Sequence, residues 1–197
     1  MKTMHTLQKP AFIFALCLMT LTGCNRDSPP APSSSSQEAL PNKERVADAT
    51  AFILDKSTHL KSAISRAEAD NPGNMTMGTQ DLVKFLVTPQ YVSSDTLLPP
   101  SEMRNSYWEY YRGQYVIKHS GNNFGSDGKD DVLFLYMEKN AFNKEVCLAI
   151  EKKLKKGASI PTLDTGTDYL DVKTDGDKGC GEPIGTHYIY YQIMTAN

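Results

Sequence analysis

The sequence predicts an α+β domain in which a long amphipathic helix packs on an antiparallel sheet. Apolar residues recur at three- and four-residue intervals over 43–70, the signature of one buried helix face. Residues 107–118, 131–138 and 187–194 are instead rich in Tyr, Val, Ile and Phe, as strands are. Helical and strand segments are segregated along the chain, the order expected of an antiparallel sheet covered on one face.

Residues 1–23 read as an export signal. A basic start with Lys2 and Lys9 precedes the apolar run AFIFALCLMTL, and the segment ends Leu21-Thr22-Gly23-Cys24. That ending resembles the bacterial lipoprotein signal, which implies diacylglyceration of the Cys24 thiol and cleavage before it. Palmitate-type chains would then hold the protein at a membrane leaflet, each buried CH₂ contributing about 0.8 kcal/mol. An ordinary signal peptide or a short N-terminal anchor is the alternative. Asn25 is not the Asp that commonly retains such lipoproteins at an inner membrane, so the outer membrane is favoured, facing the periplasm or the cell surface. Residues 24–42 follow as a tether: DSPPAPSSSSQEALPN has four Pro and five Ser and no means of building a core.

Residues 43–197 form the body, within the size range of one domain. The first helix, 43–70, buries Val46, Ala49, Ile53, Leu60, Ile64 and Ala67, and Asn71-Pro72-Gly73 stops it. At 1.5 Å per residue it is about 40 Å long, and Lys56 and Ser57 interrupt its seam, which favours packing across a sheet over a coiled coil. A short helix is expected over 79–86. Strand 107–118 and strand 131–138 make an antiparallel pair around the turn-rich segment 120–130. Asn143 is placed to cap a helix over 144–156 that stops at Gly157, and its terminal lysines complement the helix dipole. Residues 168–173 are a possible short strand, 175–185 a loop, and 187–194 the closing strand, with Tyr188, Tyr190 and Gln192 opposite Ile189, Tyr191 and Ile193.

Cysteine use gives the next constraint. Cys17 leaves with the leader and Cys24 is taken by lipid, so Cys147 and Cys180 remain as a pair in an oxidising compartment. Their bridge would constrain the unfolded chain by about 3.8 kcal/mol on the loop-entropy estimate. It would also staple a helix to a Gly- and Asp-rich stretch that has little else to hold it.

The order of these elements resembles the periplasmic domain of a type IV pilin, nearest the type IVb kind. The matching segments are NKEVCLAIEKKL at 143–154, answered by Cys180 and the terminal YIYYQI, with TQDLVKFLVTPQYV resembling the second helical segment. The resemblance implies a pilin-like head, an assembly subunit whose disulfide-bounded region helps form a contact surface. The N-terminus departs from the family: pilins keep an apolar helical half with a near-terminal Glu, where this chain has a lipobox and a Pro/Ser tether.

Charge and motif usage bound the function. The chain has 21 basic and 23 acidic residues, interspersed, with no basic stripe for nucleic acid. His59, His119 and His187 fall in no ligand or catalytic motif, and no G-x-S-x-G or HExxH occurs. No cofactor is expected. Asp127 and Asp130, and Asp175 and Asp177, sit in Asp-Gly loops that offer Ca²⁺ oxygen ligands without matching an EF-hand, and ordinary turns use the same residues. Tyr107, Trp108, Tyr110 and Tyr111 crowd too tightly for one interior row, and exposed aromatics make effective partner contacts. The leading expectation is a non-catalytic binding or assembly lipoprotein of a pilus or secretion-type surface system. An envelope hydrolase and a lipid-anchored solute-binding protein are the alternatives.

Overall fold

The computed structural model describes residues 42–72, 78–119, 122–123, 130–165, 169–172, 176–183 and 185–195. The leader, Cys24 and the tether up to residue 41 lie outside them. Helix α1, Asn42–Asp70, buries Val46, Ala49, Ile53, Leu60, Ala63, Ile64 and Ala67. The interruption of its seam has a partner: Ser57 is buried and its hydroxyl lies 2.8 Å from the Tyr190 hydroxyl. Helix α2 spans Ala141–Lys153. Its cap is Asn140, whose side chain accepts from the Asn143 amide, so the helix begins one turn earlier than Asn143 suggests. Asn143 is inside the helix, donating to the Glu138 carbonyl at 2.9 Å.

Eight strands complete the fold: β1 (Gly78–Gln80), β2 (Tyr107–His119), β3 (Asn122–Asn123), β4 (Asp130–Glu138), β5 (Thr162–Thr165), β6 (Tyr169–Val172), β7 (Lys178–Pro183) and β8 (His187–Thr195). They run in the order β1-β2-β4-β8-β7-β5-β6, and β6 pairs back onto β2. Six strands therefore close a ring. The pairings of β2 with β4, β4 with β8, β7 with β8 and β5 with β6 are antiparallel, while β2 with β6 and β5 with β7 are parallel.

This corrects the fold class. The molecule is a closed, mixed β-barrel, mostly sheet, and not a helix laid on an antiparallel sheet in pilin fashion. The difference lies in 162–183, which supplies β5, β6 and β7 where the sequence suggests a loop and one short strand. Gly179 and Gly181 conceal β7, and the barrel needs them to be small. A Cβ on Gly181 would stand 2.3 Å from the Leu163 Cγ, and one on Gly179 would stand 2.6 Å from the Tyr191 hydroxyl. The expected helix over 79–86 is also corrected. Only β1 and a single helical turn at Val83–Val87 form there, because Gly78–Gln80 pairs with β2.

Closure gives the sheet two buried faces. Inside, Ile117, Val132, Phe134, Leu163, Leu170, Ile189, Tyr191 and Ile193 from five strands pack together. Outside, α1 and α2 share a second core with Trp108, Tyr110, Leu133, Leu135, Tyr188 and Tyr190. Strand alternation assigns each residue to one core or the other, which is why β4 is buried on both sides.

Candidate functional site

Alternation divides the aromatic cluster at the start of β2. Trp108 and Tyr110 turn outward under the helices and are 7% and 0% exposed. The Tyr110 hydroxyl donates to Glu68 Oε1 at 2.7 Å and Asp131 Oδ2 at 3.1 Å. Tyr110 is thus a core residue, which corrects its assignment as a partner contact, and Trp108 keeps only an edge at the surface. Tyr107 and Tyr111 face inward with Glu109 between them. Tyr107 remains 44% exposed, because the barrel does not close over this end.

The reason is visible in the pairing of β2. Strand β4 takes one edge of residues 107–111. On the opposite edge β1 pairs with residues 110–112 and β6 with 116–119. Residues 107–109 have no strand on that edge among the described residues. The chain leaves it after Gln80, where Asp81 Oδ1 accepts the amides of Val83 at 3.0 Å and Lys84 at 3.2 Å and starts a turn.

Between the turn and the edge lies a groove of about 540 Å³, lined by residues 79–83, Leu97 and Tyr107, Trp108 and Glu109. Val83, Leu98 and Tyr107 are the large hydrophobic residues left exposed among those described. Val83 and Tyr107 line this groove. The Trp108 Nε1–H is shielded from solvent and finds no acceptor among the described residues, nor does the Ser106 hydroxyl find a partner. A buried donor left unpaired costs about 1–3 kcal/mol, so such a group is a reservoir of binding energy for an acceptor that reaches it.

The charges here are acidic. Asp81 and Glu109 line the groove with no Lys or Arg beside them in the lining, though Lys84 approaches Asp81 from the rim at 3.7 Å. The Tyr111 hydroxyl donates to Glu109 Oε2 and lies 3.4 Å from the Tyr136 hydroxyl, and Glu109 Oε1 has no hydrogen-bond partner among the described residues. Tyr107 stacks on Tyr136 at 5.1 Å, with the His187 ring edge-on to both at 6.3 and 6.1 Å. Burial, reinforced by the Glu109 hydrogen bond, pushes the Tyr111 phenol up to about 12. Tyr107 is raised by burial and then by the Glu109 charge, and Tyr136 is held far above the usual phenol range by burial.

The other predicted residues lie elsewhere. Cys147 and Cys180 form a disulfide with Cα atoms 5.5 Å apart, joining α2 to β7. Beside it the buried Glu151 accepts the Cys180 amide at 2.6 Å, and its other oxygen has no hydrogen-bond partner among the described residues. Burial raises the Glu151 carboxyl, opposed by that amide and by Lys156. The Lys156 ammonium bonds the Lys178 carbonyl and lies 3.3 Å from the Tyr191 hydroxyl. This cluster anchors the end of α2 to the barrel. Asp127 and Asp175 lie outside the described residues. Asp130 is fully buried and its carboxylate accepts the Ile117 amide at 3.1 Å, so it serves the strand. Asp177 is exposed and approaches Lys61 at 3.9 Å. Among the described residues no three His, Cys, Asp or Glu gather as a metal site.

Sequence reasoning missed Glu109, Asp81 and Tyr136. The signal for Glu109 was present: two residues from both Tyr107 and Tyr111, it shares their face of the strand. No protein-family model, no curated protein and no solved structure matches the chain. The chemistry open to this site is stacking, pairing with a cation and backbone hydrogen bonding.

Proposed function

We propose that this protein is a non-catalytic binding component of a cell envelope, held by lipid on Cys24 and the 24–42 tether, that captures a partner at the groove beside Tyr107. The observation that carries the reading is a coincidence of three features at one place. The edge of β2 left unpaired among the described residues, the exposed side chains of Val83 and Tyr107, and Trp108 with its orphaned indole N–H all border the same groove. Exposed apolar surface beside an open strand edge is a liability that natural proteins otherwise cover or charge, and a partner that covers it supplies the reason for keeping it. The lipobox ending at Cys24 supports the envelope setting. The pilus setting rested on a fold that the barrel replaces, and it is not carried forward.

The test uses the full-length protein in its native cell with a photo-crosslinking residue at Tyr107 or, as control, at Thr58 on the exposed side of α1. Position 107 is expected to give one discrete adduct that Val83→Asp removes, while position 58 gives none. Identical adducts from both positions, or turnover of an envelope substrate that depends on Glu109, would overturn the binding reading.

A further inference from the structure

We infer that the occupant of the groove is an extended polypeptide segment that adds to β2 as an extra strand and seats a basic side chain against Glu109. This deepens the binding reading and rests on it.

The backbone argument comes first. Strand β1 runs antiparallel to β2 in the register Gly78↔Arg112, Thr79↔Tyr111, Gln80↔Tyr110. Continued by three residues, it would cover Glu109, Trp108 and Tyr107, but the Asp81 turn takes the chain away. The same edge of β2 accepts a strand further along, where β6 closes the barrel. The edge is thus competent to pair on both sides of Gly113 and, among the described residues, is left open for three residues, about 10 Å of strand. Strand addition of this kind draws its affinity from main-chain hydrogen bonds and its selectivity from alternate side chains.

The side chains then specify what is added. A residue opposite Glu109 shares its face, with Cβ atoms about 5 Å apart. There it meets Glu109 Oε1 and the Tyr107 ring, an arrangement that favours Arg or Lys through charge pairing and contact with the aromatic face. The next residue faces the other way, toward Trp108, Leu82 and Leu97, and is apolar. Asp81 is offset by Lys84 at 3.7 Å, so Glu109 carries the charge argument. A small polyamine would satisfy the carboxylate and leave the edge unpaired. A second copy of this chain would bring two Glu109 side chains together, which like-charge repulsion disfavours.

Trp108 is the single tryptophan of the chain, so its emission reports on the groove without a label. The full-length protein in detergent is titrated with four probes. These are the blocked peptide Thr-Val-Arg-Val-Thr, the same peptide with Glu for Arg, the Arg peptide N-methylated at alternate amides, and spermine. The Arg peptide alone is expected to shift Trp108 emission and to slow amide exchange within 107–109. Glu109→Gln is expected to weaken it about tenfold, the scale of one charge-assisted hydrogen bond. Equal response to the Glu peptide would overturn the charge assignment, and equal response to the N-methylated peptide or to spermine would overturn strand addition. A shift that grows with protein concentration alone would point to a second copy and overturn the proposal. If no peptide binds while the Tyr107 adduct persists, strand addition fails and the binding reading stands. Loss of the adduct as well removes both.

Discussion

The two halves of β2 meet different fates. From Tyr115 onward the strand is part of a closed ring, paired by β6 on one edge, with Ile117 fully buried in the barrel interior. Before Gly113 it pairs with β4 on its ring edge, and among the described residues its far edge is covered by the three residues of β1. The division is built into the backbone. Register with β4 shifts between Tyr111 and Tyr115, Gly113 takes a φ of 55°, and Asp131 Oδ1 accepts the Gly113 amide at 2.5 Å. A bulge of this kind bends a strand and increases its twist, which brings the second half onto β6 and leaves the first half in the ring through β4 alone. Closure removes edges and yields stability, whereas the open half keeps the backbone groups and side chains a partner needs.

The largest expected effect breaks the barrel interior. Phe134 is 2% exposed, and its ring lies 5.4–5.8 Å from those of Tyr111, Tyr115 and Tyr136. Phe134→Ala is expected to cost about 3–5 kcal/mol in urea unfolding, since the surrounding strands are tied into a ring and cannot collapse on the cavity. A cost below about 1 kcal/mol would mean that the interior is not packed as the ring requires.

A smaller effect separates the ring from its staple. Replacing both Cys147 and Cys180 by Ala is expected to cost about 2–4 kcal/mol. Hydrogen exchange is expected to rise first in β7 and at the end of α2, where Glu151 still holds the Cys180 amide. Uniform acceleration through α1 and the ring would show that the disulfide acts on the whole fold equally.

Legibility in the sequence follows the same division. The seam of α1 declares itself by burying residues at a fixed period, and β4 and β8 by runs of β-branched and aromatic residues. Strand β7 does not, since Gly179 and Gly181 are chosen for the space they leave to Tyr191 and Leu163, and absent side chains have no hydrophobic pattern. Parallel pairing of β6 with β2 has no local signal either, because the partners are distant in sequence and the register is set by the ring. In the candidate site, the aromatics were legible by type and their faces by alternation. The open edge was not, since it depends on where β1 stops. The pairing of Cys147 with Cys180 was legible from counting alone, because it needs no geometry.

The smallest expected effect sharpens the comparison from the open side. Tyr111 is flanked by Glu109, Tyr136, Tyr115 and Phe134, and its phenol is held at about 12 against an ordinary value of 10.0, chiefly by burial and then by the Glu109 hydrogen bond. The neutral phenol is thus favoured in the folded protein. Its contribution to stability is fully present below pH 10.0, and it is lost as pH rises through about 12, where the unfolded chain ionises first and the folded chain must follow. Because the ring is half-buried, solvent screening reduces the effect to about 1 kcal/mol or less. Tyr111→Phe removes this ionisation while keeping the ring, so the variant is expected to lose less stability than the native protein across that window and to match it more closely near neutrality, apart from the lost hydrogen bond. Urea midpoints measured as a function of pH, followed with phenolate absorbance, would show this as a flatter alkaline limb. An unchanged limb would mean that the Tyr111 hydroxyl is already solvated, and that the inner face of the open half is wetter than its stacked rings imply.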